Sequence, residues 1–204
     1  MQKEDYSSVF EKFVPSTAVD YCLDLWWHFR FEFKITKNRQ SKLGDYRWHP
    51  EKQKHIITVN HNLNRYSFLL TYIHEIAHLV VFEEHKNRVD PHGKEWKKAF
   101  KKLMLPVLND TVYPDDVLRP LARYMKNPKA SSYSDPALIE ALYQYDEGDE
   151  KPFLKDIPEL SNFHFQKKNF KKLELRRTRY LCEELRSGRK YLISQSARVQ
   201  PLEG

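Results

Sequence analysis

The chain has 204 residues, 40% of them hydrophobic, with 12 Tyr, 12 Phe and 4 Trp. That content excludes a disordered chain, and the length suits one solid core with at most a small appendage, not two full-sized domains. The net charge is +7, no apolar run approaches the ~18 residues of a membrane span, and the charged start Met1-Gln2-Lys3-Glu4-Asp5 leads into no signal-peptide core. A cytoplasmic protein that meets no membrane is expected. Cys22 and Cys182 are the only cysteines, too few for a disulfide framework and consistent with a reducing compartment.

In chain order, Val9, Phe10, Phe13 and Val14, then Ala18, Val19, Cys22, Leu25 and Trp26, recur at helical spacing. They predict one or two helices, with Pro15 near the start of the second and Cys22 packed in the core. Phe31 to Thr36 alternates apolar and polar residues and predicts a half-buried strand; Gly44 to Trp48 and His55 to Val59 predict two more. These strands make a small sheet on which the next helix can rest. Asn60-His61-Asn62-Leu63-Asn64 is rich in capping residues, so a helix is predicted from Asn64 or Ser67 to about Glu84. It is apolar almost all round and reads as buried. A polar loop to Pro91 leads into an amphipathic helix over about Lys94 to Leu105, with Trp96, Ala99, Phe100 and Leu103 on one face. Lys97, Lys98, Lys101 and Lys102 lie on the other face and read as a solvated surface.

From Pro106 to Asp135, four prolines predict irregular chain or short helical turns, and Pro136 to Tyr145 predicts a short helix capped by Asp135. The acidic run Asp146 to Pro152 reads as a linker. It separates residues 1–146 from a module over 151–204, where strands are predicted at Asn162 to Phe165, Arg176 to Cys182 and Tyr191 to Ile193. The last two flank Ser187-Gly188 as a hairpin.

The chemistry concentrates in His74-Glu75-Ile76-Ala77-His78. On a helix, His74 and His78 lie about 40° apart around the axis and ~6 Å along it, so both imidazoles can reach one ion. Burying two imidazoles and a carboxylate without a partner is costly, and a metal supplies that partner. This is the H-E-x-x-H zincin arrangement, in which Glu75 acts as general base toward a zinc-bound water. The metzincin spacing requires Gly at position 81 and His at 84, where this chain has Val81 and Glu84. His85 returns to the same helix face but lies ~10 Å further along the axis. His92 is preferred as third ligand, because Asp90-Pro91 turns the chain and Gly93 allows close approach; Glu95 on the following helix is the rival. His49, His55 and His61 carry no ligand spacing.

Together, His74-Glu75-Ile76-Ala77-His78 and His92-Gly93-Lys94-Glu95-Trp96 resemble the SprT-like zinc metalloprotease domain, found in bacterial SprT proteins and Spartan-type proteases. Lys42-Leu43-Gly44-Asp45-Tyr46-Arg47 resembles the family's glycine-bearing strand, and Ile56-Ile57-Thr58-Val59-Asn60 the strand that ends in Asn before the metal helix. The resemblance implies an α+β fold with a zincin-like core and a small C-terminal β module. It implies one Zn2+ held by His74, His78 and His92, and Glu75 as the catalytic residue. Many relatives carry a zinc ribbon of two cysteine pairs near the C-terminus. Only Cys182 stands there, so a ribbon-like β module held by aromatics, without zinc, is expected.

Lys167 to Lys190 holds ten basic and three acidic residues, and the remaining 25 of each sign cancel. A neutral catalytic half joined to a basic module suggests that the module meets DNA or RNA, through Arg176, Arg177, Arg179, Arg189 and Lys190. Phe170, Tyr180 and Tyr191 form a small core there, with base stacking as the alternative. The expected function is a zinc endopeptidase acting on nucleic-acid-bound protein substrates. The alternative is a nucleic-acid-binding or transcription-related factor whose zinc is mainly structural.

Overall fold

A computed structural model of the chain describes residues 3–39, 42–131, 135–148 and 151–202. The chain divides into two compact units, Met1–Asp146 and Glu147–Gly204. The first is α+β. Helix α1, Lys3–Phe13, and α2, Val19–Phe29, are joined by a short 3-10 turn at Ser16–Ala18, as the helical spacing on either side of Pro15 predicts. Cys22 is fully buried in the core. Strands β1, Glu32–Thr36, β2, Gly44–His49, and β3, Lys54–Asn60, form one sheet in the order β1-β3-β2. β3 runs parallel to β1 and antiparallel to β2, which leaves β2 as an edge strand.

Helix α3, Arg65–His85, lies against β2 and β3 and is buried almost all round, with Phe68, Leu69, Ile73, Ile76 and Ala77 fully enclosed. Its start is fixed by Asn64, whose side chain accepts from Tyr66 N at 3.1 Å and Ser67 N at 2.9 Å. These satisfy two of the amide donors that a helix N-terminus leaves open. The same side-chain amide donates to Leu142 O at 2.9 Å and to Asp146. Helix α4, Lys94–Met104, packs on α3 through Trp96, Phe100 and Met104.

The proline-rich stretch departs from expectation. Helix α5 runs over Asp115–Met125 with Pro120 inside it. Interior proline normally breaks a helix, because it removes a hydrogen bond and crowds the preceding turn. Here Val117, Leu121 and Tyr124 bury one face of the helix, and burial of Pro120 itself adds to that face. Helix α6, Pro136–Tyr143, is capped by Asp135, which accepts from Leu138 N at 3.1 Å.

The second unit is a five-stranded sheet ordered β7-β6-β5-β4-β8. Its strands are β4, Asn162–Phe165, β5, Lys168–Arg176, β6, Arg179–Glu184, β7, Lys190–Ser194, and β8, Gln200–Pro201. β6 and β7 are antiparallel about a turn containing Gly188 at φ 68°, as the hairpin prediction has it. The run Arg176 to Cys182 is not one strand. The chain reverses at Arg177-Thr178, with Arg177 at φ 58°, and the preceding lysine-rich segment is itself a strand. Phe163, Phe170, Tyr180, Cys182 and Ile193 share a core with Leu154, Ile157 and Val199. Lys172 is inside that core. It is 1% exposed, its Nζ donates to Ile157 O at 2.6 Å and Lys155 O at 3.3 Å, and it lies 4.0 Å from the Tyr180 ring centroid. It therefore cannot serve the module's outward charge. Among the described residues no helix is long and apolar enough to cross a membrane.

The Asn64 cap is the local contact on which the position of α3 rests. Asn64→Ala should lower stability by about 1–2 kcal/mol. Asn64→Asp should recover only part, since Asp retains the cap but cannot donate to Leu142 O; urea unfolding of the three proteins measures both.

Candidate metal centre

Four residues apart on α3, His74 and His78 project together, as helical geometry requires. The chain leaves α3 at Lys86, turns at Asp90 to Gly93 through the bond from Gly93 N to Asp90 O at 3.0 Å, and presents His92 to the same point. His74 Nε2 stands 3.2 Å from His78 Nε2 and 3.3 Å from His92 Nε2. One ligand atom from each of the three lies within 4.8 Å of the others, so the group could hold a metal ion. Tetrahedral ligands about 2.0–2.1 Å from zinc sit roughly 3.3 Å from one another, which these separations match.

The surroundings keep the imidazoles in the form a metal needs. Burial pushes His74 well below the ordinary imidazole value and His78 down to about 4, and the neighbouring histidines add to both shifts. Burial lowers His92 as well. All three are therefore neutral at pH 7, with lone pairs free to coordinate. Trp96 is the floor of the cluster: it is fully buried, and its ring centroid lies 4.7 Å from His74, 4.8 Å from His92 and 5.5 Å from His78.

Glu75, beside His74, is 7% exposed and faces β2. Burial raises its carboxyl to about 8, and Asp45 pushes the same way, while the Tyr46 backbone N–H, Arg39 and Lys42 pull it down. The ladder explains the Tyr46 contact. Asn60 N donates to Leu43 O at 2.8 Å, and alternation then turns the N–H of Tyr46 toward the free edge of β2, where the carboxylate meets it. Gly44 makes the approach possible. A Cβ there would stand 2.6 Å from Glu75 Oε1 and 2.7 Å from Thr71 Cγ2. A glycine inside a strand is a mark of such close approach, and Gly44 was legible on that ground although its contact with Glu75 was not. Asn60, fully buried, accepts from Arg39 Nε at 2.8 Å and donates to Lys42 O at 2.9 Å, which ties the chain before Gly44 to the sheet.

The other candidates lie apart. Glu95 is outside the histidine group; its nearest charged partner is Lys94 at 3.7 Å. His85 sits at the end of α3 beside Glu84 at 3.5 Å, and His55 pairs with Glu83 at 2.9 Å and with Tyr46 Oη at 3.0 Å. In the second unit, Arg176, Arg177 and Arg179 are exposed at the β5–β6 turn, with Arg176 paired to Glu174 at 2.6 Å. Arg189 and Lys190 are exposed at the opposite end of β6, about 15 Å away at strand spacing. The five thus form two groups, not one patch. Phe170 and Tyr180 are buried and Tyr191 packs against the same core, so the stacking alternative has no exposed ring among these three.

Removing one of three converging donors should matter far more than removing a carboxylate outside the group. His92→Ala should weaken zinc binding by on the order of 100-fold or more, and Glu95→Ala should leave it within a few-fold. Competition against a chromogenic chelator reads both.

Residues 17–114, from the turn before α2 to Pro114 just ahead of α5, match the model of the SprT-like family. No curated protein and no solved structure matches the chain. The matched segment carries all of β1 to β3, α3, His92 and α4, so the candidate metal centre lies wholly within the part of the chain that matches the SprT-like family.

Proposed function

We propose that the protein is a zinc-dependent endopeptidase with a zincin-like core, acting on proteins associated with nucleic acid. The observation that carries this reading is the convergence of His74, His78 and His92 Nε2 atoms beside a buried carboxylate, Glu75, that follows His74 directly in the chain. Zinc held by the three imidazoles supplies a Lewis acid that makes water a nucleophile near neutral pH and polarises a carbonyl. His74, His78 and His92 hold it while Trp96 limits their rings to one arrangement. Glu75 is the base. It takes a proton from the attacking water and returns it to the leaving amine.

Glu75 must be ionised to do this, and burial opposes it. The Tyr46 N–H, Arg39 and Lys42 offset part of that opposition from the protein side, and the charge of a zinc ion held by the three histidines would act in the same direction. Position matters as much as charge. Gly44 leaves room for the carboxylate against the edge strand, where the Tyr46 N–H favours its charged form.

The nucleic-acid part of the reading is supported by the basic side chains exposed at the two ends of β6.

Two substitutions test the chemistry. Glu75→Gln should keep one equivalent of zinc and reduce cleavage of labelled casein, with or without added DNA, by about 10²–10⁴-fold. Cleavage that survives this change contradicts the mechanism and favours a structural role for the metal. Gly44→Ala should also keep its zinc but lose about 100-fold in turnover, because the new methyl displaces the Glu75 carboxylate. Metal content by atomic absorption, measured beside the rate, separates displacement of the base from loss of the ion.

A further inference from the structure

The outer face of α4 is built of lysine. Lys94, Lys97, Lys98, Lys101 and Lys102 sweep an arc of about 140° around the helix axis with no acidic residue inside it. The opposite side, Trp96, Phe100 and Met104, is buried in the core. Two contacts join this face to the end of α5: Lys97 Nζ donates to Asn127 Oδ1 at 2.8 Å, and Lys101 Nζ donates to Lys126 O at 2.6 Å. They bring Lys126 alongside, and Arg123 lies one turn earlier on α5, exposed.

Charge counted by unit alters the picture of a neutral catalytic half. Residues 1–146 hold 22 basic and 19 acidic side chains, and the second unit 13 and 9, so both are net positive. Within the first unit, residues 94–129 hold nine basic and four acidic side chains, and the rest of that unit is net acidic. The excess is thus concentrated on α4, with five lysines against Glu95, and on Lys126 and Lys129 just past α5, which is itself neutral. It is not neutralised there. Lys98, Lys102, Arg123 and Lys126 are exposed and have no acidic partner among the described residues, and Lys94 reaches only Glu95 at 3.7 Å. Lys94, Lys98 and Lys102 stand at successive i,i+4 positions, as do Lys97 and Lys101, and like charges so spaced disfavour the helix unless an anion covers them.

We infer that this face of the catalytic unit binds the phosphodiester backbone of a nucleic acid, independently of the basic groups on the β module. Among polyanions, nucleic acid fits best. A membrane-surface helix needs an apolar face to insert, and that of α4 is committed to the core. A protein partner would meet aromatic or arginine anchors, whereas lysine is depleted at protein interfaces and suits sequence-independent phosphate contact. α4 starts two residues after His92, so the Lys94 end of this face is close in the chain to the histidine group, while Trp96, under that group, lies on the opposite side of the helix. The inference extends the nucleic-acid part of the proposed function and does not use its cleavage chemistry.

The test is fluorescence anisotropy with the full chain and a labelled 30-base-pair DNA, titrated across sodium chloride concentrations. Changing Lys98, Lys102, Arg123 and Lys126 together to Gln should raise Kd about tenfold or more and lower the salt slope by up to about 0.9 per lost contact. Changing the three lysines to Arg should keep both near wild type, and an unchanged unfolding midpoint shows that the Gln protein is intact. Arg176, Arg177 and Arg179 changed to Gln should have the smaller effect. The inference is overturned if the four-Gln protein binds DNA with wild-type affinity and slope, if the wild type binds no DNA, or if it prefers polyglutamate or anionic vesicles to DNA. A chain that binds as expected yet cleaves no protein would contradict the protease reading alone.

Discussion

Edge strand β2 lies on α3 only because position 44 has no side chain. At that point the strand backbone meets Glu75 and Thr71 so closely that one methyl group would overlap both. Several features depend on this contact. It brings the Tyr46 N–H to the Glu75 carboxylate, it seals the carboxylate from water, and it sets the height of the sheet above the helix that carries His74 and His78. Asn60 holds the approach to Gly44 by bonding Arg39 and Lys42, and so the end of β3 and the start of β2 are fixed together.

The histidine group is assembled from one rigid element and one returning turn. α3 supplies two imidazoles with a fixed separation, while His92 arrives from the turn ahead of α4. Trp96 on α4 then packs under all three rings, so the helix that follows His92 also secures it. Burial does two opposite things here. It keeps the imidazoles neutral and ready to donate lone pairs, and it discourages the charge on Glu75 that a base requires. The nearby N–H and cationic side chains offset only part of the second effect, since the carboxyl still stands at about 8 with them in place.

Much of this arrangement is legible in the sequence. The apolar run around His74 announces a buried helix, Asn64 its start, and the spacing to His92 the chain reversal. What escapes notice has physical causes. α5 is hidden by Pro120, because an isolated proline reads as a breaker unless burial of Val117, Leu121 and Tyr124 is weighed against it. β5 is hidden by its lysines, one of which, Lys172, turns inward to bond backbone carbonyls instead of solvent. The Arg177 turn lacks the glycine that usually marks a left-handed residue. A linear charge count likewise places the positive excess in the last quarter of the chain, since contacts between α4 and the end of α5 join segments far apart in sequence.

The central claim is that one metal ion is held by three imidazoles from α3 and the turn before α4. Zinc K-edge X-ray absorption on the zinc-loaded full chain tests it most directly. The account predicts a shell of nitrogen and oxygen scatterers at about 2.0–2.1 Å, with the outer-shell pattern of three imidazoles. A sulfur scatterer at about 2.3 Å, or fewer than three imidazoles in the fitted shell, would contradict it.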